Sequence, residues 1–291
     1  MIDMKYWEDI SRKNKRKFNS GAGRLSSKAA IVTGSAQGFG KGIAEELYRE
    51  GACVVIADMN EPLAKQVALE LGERALAVKV NVTDEQSVAA MIGSCVEHFG
   101  SLDLLVSNAG VLKAGSLDEM EKSDFEFVTS VNYTAFFTCV KYASRIMKAQ
   151  HEVLPDEFFD IVEVNSKSGL DGSNKNFAYA GSKFGGIGLV QSFAKELAPY
   201  NIKVNAVCPG NYYDGPLWSD PDRGLFVQYL RAGKIPGAKT VEDVKAFYLE
   251  KSLIKRGCLP RDVAKAIIYS VEQTFETGQA IPVTGGQVML R

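Results

Sequence analysis

A doubly wound, parallel α/β sheet of about seven strands, flanked by helices on both faces, is the fold this sequence predicts. Three observations predict it. Short apolar runs alternate with helix-length segments, as they do where each strand is buried on both faces and each crossover is a helix. The first run leads through a glycine-rich turn into a helical pattern, a strand–turn–helix unit. Finally, 291 residues at 46% hydrophobic, with no long Pro/Ser linker and no internal repeat, suit one domain with a large core.

Taken in order, residues 28–32 form the first strand, which ends in Thr33-Gly34-Ser35-Ala36-Gln37-Gly38-Phe39-Gly40. Ile43, Ala44 and Leu47 then recur at helical spacing as far as Gly51. Cys53-Val54-Val55-Ile56-Ala57 is the second strand and stops at Asp58. Helical spacing over 61–71 precedes a strand over 75–81 and a helix capped by Asp84 that lasts to Phe99. Residues 102–107 read as the fourth strand, followed by a long helix from Ser123 or Asp124 through Asn132 to Met147. Residues 161–165 are the fifth strand, 177–197 a helix and 203–208 the sixth strand. Helical stretches over 224–232, 241–251 and 261–273 lead to a last strand at 280–283. Ahead of all this lies a basic arm, residues 1–27, carrying Arg12, Lys13, Lys15, Arg16 and Lys17 with no apolar stretch behind them, which excludes a secretory signal. Met4, Tyr6, Trp7 and Ile10 offer anchors for packing the arm on its own domain or on a neighbouring subunit.

Composition excludes several classes. A net charge of −1 gives no surface for nucleic acid. No run approaches the roughly 18 apolar residues of a membrane span. Cys53, Cys95, Cys139, Cys208 and Cys258 are scattered without a C-x-x-C pair, which predicts buried thiols in a reducing, cytoplasmic setting and no metal site. His98 and His151 read as surface residues with no triad neighbour, so other groups must run any chemistry.

Ser166, Tyr179 and Lys183 are those groups. Tyr179 and Lys183 lie one helical turn apart and leave the same face. A free phenol has a pKa of about 10, and a neighbouring ammonium favours its phenolate. A serine hydroxyl beside them can hydrogen-bond a carbonyl oxygen or its alkoxide. The set moves a proton on or off a carbinol. The glycine turn lets backbone approach a pyrophosphate at a helix N-terminus, and Asp58 at the end of the second strand is placed for adenosine ribose hydroxyls. That acid repels a 2′-phosphate, and neither Gln37 nor Met59 supplies a cation for one, so NAD is predicted over NADP. The carboxyl ends of the strands then gather the turns after strands one and four, Ser166, and Pro209-Gly210.

These residues resemble the short-chain dehydrogenase/reductase family over nearly the whole chain from residue 28. Thr33-Gly34-x-x-x-Gly38-x-Gly40 looks like its cofactor turn, and Asn108-Ala109-Gly110 like its fourth-strand motif. Asn132 falls where the family completes a catalytic tetrad with Ser166, Tyr179 and Lys183; Pro209-Gly210, Thr277-Gly278-Gln279 and Gly285-Gly286 match further landmarks. The resemblance implies a single NAD-binding, Rossmann-type catalytic domain over 28–291. It also implies cofactor contacts from Gly34, Gln37, Gly38, Phe39, Gly40, Asp58, Met59, Asn81, Val82, Asn108, Ala109, Gly110, Tyr179, Lys183, Pro209 and Gly210, and assembly as a homodimer or homotetramer. Two departures stand out: Asn81 replaces an aspartate near the adenine, and no threonine follows Pro209-Gly210. The stretch from Gly210 to Met289 is similar to sorbitol-6-phosphate dehydrogenases within the family, which implies a phosphorylated polyol as small-molecule substrate. Lys113, Lys167 and Lys175 are the candidate phosphate cations, and Tyr212 and Trp218 the rings for a sugar face, with Tyr213 beside them. An unphosphorylated polyol or sugar acid, and a NAD-binding sensor without turnover, are the alternatives.

Overall fold

The computed structural model describes residues 3–13 and 22–289. The apolar runs become β1 (Ala29–Thr33), β2 (Cys53–Asp58), β3 (Ala75–Lys79), β4 (Leu104–Ser107), β5 (Phe159–Val164), β6 (Ile202–Pro209) and β7 (Ala280–Val283). All pair in parallel, in the order β3-β2-β1-β4-β5-β6-β7, so the winding direction reverses between β1 and β4. Helices α2 (Gly38–Arg49), α3 (Glu61–Leu71) and α11 (Pro260–Glu272) cover one face, while α4 (Glu85–Phe99), α6 (Ala135–His151) and α7 (Phe177–Leu197) cover the other. Each face has its own apolar core because residues of opposite parity on a strand point to opposite sides: Ile31 and Val55 enter one core, Val32 and Val54 the other.

Boundaries moved where side chains replace ladder bonds. β4 starts at Leu104 because Leu102 donates its N–H to Gln150 Oε1 (2.8 Å) and accepts from Gln150 Nε2 (3.0 Å). β5 starts at Phe159, earlier than expected, because Phe159 N–H reaches Asn201 O at 2.9 Å. The long helix around Asn132 is α5 (Lys122–Thr129) running into α6 through a π turn, Ser130–Thr134. An extra residue in a turn widens the helix, and such turns recur at functional sites.

The basic arm begins with a helix that was not expected, α1 (Met4–Arg12), N-capped by Asp3 Oδ1 accepting Tyr6 N–H at 3.1 Å. It packs on α4 and α6 of its own domain: Met4 is buried, and the Trp7 ring lies where a Cβ on Gly93 would stand 2.1 Å away. Tyr6 is exposed. Lys15, Arg16 and Lys17 lie outside the described residues. His98 is exposed and His151 half-buried, while Cys53, Cys95, Cys139 and Cys208 are buried free thiols, Cys139 pushed up to about 12 by burial.

Two acids stand in the buried β5. Asp160 meets Lys203 at 3.0 Å, and that ammonium also donates to the carbonyls of Ser270 (2.5 Å) and Gln273 (2.8 Å) at the α11 C-terminus, a cation where the helix dipole favours one. Burial pushes the Asp160 carboxyl up to about 6 against the pull of Lys203. Glu163, the second acid, faces α7.

Candidate active site

The carboxyl ends of β1, β2, β4, β5 and β6 open into one cleft of about 1250 Å³ at the point where the winding reverses, the usual ligand position in open α/β sheets. Its floor is a clamp between two turns. Thr33 Oγ1 accepts the N–H of Asn108 (2.9 Å) and of Ala109 (3.0 Å), while Asn108 Nδ2 donates to Thr33 O (2.8 Å) and Gly34 O (3.1 Å). Gly34 has φ +65°, and a Cβ there would stand 2.9 Å from Ala109 Cα; a Cβ on Gly40 would stand 2.1 Å from Gly34 O. Only glycine permits these approaches. The N-terminus of α2 receives no side-chain cap from Gln37, so its free N–H groups and positive dipole end suit a pyrophosphate.

Asp58 closes the far end of the floor. Its Oδ2 accepts Ala36 N–H (3.0 Å) and its Oδ1 accepts Asn60 N–H (2.9 Å), which aims the carboxylate and leaves lone pairs for ribose hydroxyls. Met59 beside it is exposed, and Lys41 on α2 is tied to Glu70 at 3.1 Å. Asn81 has its Oδ1 engaged by Thr83 N–H (3.1 Å) and Thr83 Oγ1 (2.8 Å). Val82, Phe39, Gly38, Gly110, Pro209 and Gly210 line the same cleft. Every residue expected to touch a dinucleotide is therefore on one wall, and the wall fits that group.

Ser166, just past the end of β5, and Tyr179 and Lys183, on the first two turns of α7, line this cleft together. Lys183 Nζ lies 6.0 Å from the Tyr179 ring centroid and donates to Val164 O at 2.8 Å. Below it sits Glu163, its Oε1 3.8 Å from Nζ, with both side chains almost wholly buried. Glu163 occupies the space left by Gly186, where a Cβ would come within 2.4 Å of its oxygen. Desolvation pushes this carboxyl up while Lys183 and the Asn165 amide, donating at 2.7 Å, pull it down. Ser166 Oγ accepts Ser168 N–H at 3.1 Å. Asn132 stands back from the cleft in the π turn: its Oδ1 accepts Val111 N–H (2.8 Å), and its Nδ2 donates to Val111 O (2.9 Å) and Ser182 Oγ (3.3 Å).

Residues 210–258 roof the cleft, with α8 (Pro216–Ser219), α9 (Leu225–Arg231) and α10 (Val241–Glu250) around an aromatic cluster. Here the structure redistributes the expected substrate residues. Trp218 is buried in that cluster, its ring 5.0 Å from Phe226 and 5.1 Å from Tyr248, so it packs the roof while touching the cleft with an edge. Tyr213 is buried with it. Tyr212 lines the cleft with its ring tilted against that of Phe39, the centroids 5.0 Å apart. Lys113 lines the cleft but is paired with Asp124 at 2.5 Å. Lys175 lies outside the lining and donates to Ala232 O at 3.0 Å, tying the loop before α7 to the end of α9. Lys167 lines the cleft and is half-buried.

The model of short chain dehydrogenases matches residues 28–218. The chain belongs to this family. This short-chain dehydrogenase is 36% identical over 270 residues to sorbitol-6-phosphate 2-dehydrogenase of Escherichia coli K12, covering 90% of this chain and 99% of that protein. A crystal structure of sorbitol-6-phosphate 2-dehydrogenase from Erwinia amylovora superposes with a TM-score of 0.81 at 36% identity, covering 90% of this chain and all of that one. The 3-ketoacyl-(acyl-carrier-protein) reductase of Brucella melitensis complexed with NADH follows with a TM-score of 0.77 at 26% identity, over 90% of this chain and 99% of that one.

Four residues of the dehydrogenase's site carried no motif. Lys234, Tyr229 and Asn176 line the cleft, and Glu163 supports Lys183. Glu163 alone had a signal, an acid inside a strand buried on both faces. The other three come from the roof and the loop before α7, where side-chain direction follows from tertiary packing.

Proposed function

We propose that the protein is an NAD-dependent dehydrogenase interconverting the secondary alcohol of a sugar alcohol phosphate and the corresponding ketose phosphate, of the sorbitol 6-phosphate to fructose 6-phosphate type. The observation carrying this reading is the meeting of Ser166, Tyr179 and Lys183 in the same cleft as the glycine clamp and Asp58. The phosphorylated polyol is supported by the 36% identity to sorbitol-6-phosphate 2-dehydrogenases across nearly their full length.

In this reading the clamp and the α2 N-terminus hold the pyrophosphate, Asp58 holds the adenosine ribose, and Lys183 holds the nicotinamide ribose with the donors Val164 leaves free. The bound nicotinamide supplies hydride chemistry. Tyr179 takes the carbinol proton as the base in oxidation and returns it in reduction. Lys183 holds its charge 6.0 Å from the Tyr179 ring centroid, and Ser166 hydrogen-bonds the reacting oxygen. Asn132 has its amide engaged by Val111 and Ser182, so the water that links Lys183 to solvent rests on its main chain. NAD over NADP follows from Asp58 and from Lys41 being held by Glu70. Self-association is proposed through α6 and α7, whose Phe137 and Phe184 are about half exposed.

The test is NADH formation over a panel of polyols, sugar acids and polyol phosphates, with Tyr179→Phe as control. Sorbitol 6-phosphate should be the best substrate, and the variant should lose about 10²–10⁴ in kcat while still binding NADH. Retention of more than about a tenth of kcat by Tyr179→Phe refutes the proton-transfer role.

A further inference from the structure

The cations of the cleft fall into two kinds. Lys183 has Glu163, Lys113 has Asp124, and Arg223 and Arg231 are exposed to water. Lys167 and Lys234 are different: both are half-buried in the lining, and neither side chain has a hydrogen bond or ion pair among the described residues. Burial lowers both, Lys234 to about 8, and after burial the charge weighing most on Lys234 is Lys167. Lys251 and Lys175 add to that repulsion on Lys234, and only Asp171 opposes it, through Lys167. Two half-buried ammonium groups lining one cleft without a counter-ion are unfavourable; such groups persist where an anion completes them.

Position says which anion. Lys167 follows Ser166 directly in the chain. Lys234 Nζ lies 3.9 Å over the centroid of the Tyr229 ring, and Tyr229 Oη accepts Asn176 Nδ2 at 2.8 Å. Asn176 precedes the catalytic helix, is almost wholly buried, and leaves its Oδ1 without a partner. Either orientation of that amide leaves one polar atom over. The cleft that holds Tyr179 is therefore also lined by an unmatched amide, a phenol with a proton to give and two cations without counter-ions.

We propose that Lys167 and Lys234 form a clamp for the phosphate of a phosphorylated polyol, with Asn176 and Tyr229 reading a hydroxyl between that phosphate and the carbinol. The clamp rests on the dehydrogenase reading for the position of the carbinol, and it identifies which residues select the phosphorylated substrate. A dianionic monoester suits two cations in one cleft better than a single carboxylate does, since each charge finds its own partner.

The experiment compares kcat/KM for sorbitol 6-phosphate and for sorbitol in the wild type, Lys167→Gln, Lys234→Gln, the double variant and Lys234→Arg. Calorimetric titration of inorganic phosphate into each NADH-bound protein runs alongside. Each Gln variant should lower the preference for the phosphorylated substrate by about 10–100-fold, through KM rather than kcat, and Lys234→Arg should restore most of it. Phosphate binding should vanish in the double variant. Equal losses on both substrates, an unchanged preference, or phosphate binding that survives the double variant overturns the clamp. If the wild type turns over no polyol of either kind, the dehydrogenase reading fails by itself, and the phosphate titration still decides the clamp.

Discussion

The floor and the roof of the cleft are built by different means. In the floor, residues 33–40 and 108–110 are locked by side chain to backbone hydrogen bonds at 2.8–3.1 Å and by glycine contacts closer than any side chain allows. In the roof, residues 210–258 are held by rings on rings: Trp218 touches Tyr213, Phe226, Tyr229 and Tyr248 at centroid distances of 5.0–5.8 Å. The floor meets its ligand with backbone and tolerates no added atom. The roof meets it with side-chain tips, which can change while the rings behind them stay packed. On the proposed function, cofactor recognition and substrate choice are thereby mechanically separate.

Four measurements strain this contrast, the strongest first. Trp218→Ala removes the centre of the ring cluster, worth about 3–5 kcal/mol of packing. It should raise KM for the polyol phosphate while the NADH Kd, followed by fluorescence, stays close to wild type. Gly40→Ala should do the reverse, since a Cβ 2.1 Å from Gly34 O forces the turn apart at about 1–3 kcal/mol and weakens NADH about tenfold or more. If both variants damage both parameters alike, floor and roof are one unit.

Next in size is Asp58→Ala. Losing a charged acceptor of the ribose costs about 1.5–3 kcal/mol, so the kcat/KM preference for NAD over NADP should fall about 10–100-fold. An unmoved preference places cofactor selection elsewhere in the floor.

The smallest effect is in pH. Lys234 is brought down to about 8 by burial first and then by Lys167, Lys251 and Lys175. Above that pH the free protein has lost a proton that phosphate binding must recapture, so KM for sorbitol 6-phosphate rises, by at most about tenfold per unit. Below about pH 6 the substrate's own phosphate takes up its second proton, and KM rises again. Lys234→Gln should flatten the alkaline rise alone. A rise that survives this substitution belongs to another group, Lys167 first among the cations that line the cleft.

Much of this was legible before folding. The central strands β1, β2 and β4 were legible as apolar runs, because a parallel strand buried on both faces rarely carries a polar side to interrupt it. Every residue expected at the dinucleotide wall lines one cleft, because glycine, proline and terminal acids act through backbone geometry that depends on near neighbours in the chain. The helix Phe177–Leu197 appeared with the expected ends. What the sequence could not express was partnership. Lys113 and Lys175 looked as able to meet a phosphate as Lys167, until Asp124 and the carbonyl of Ala232 came within reach of them in space. Lys234, in Arg-Ala-Gly-Lys-Ile-Pro, looked like any solvated lysine. Charge type is a property of one residue, whereas an unsatisfied charge is a property of everything around it, and only the packed roof over β5 and α7 decides which cations remain to be matched.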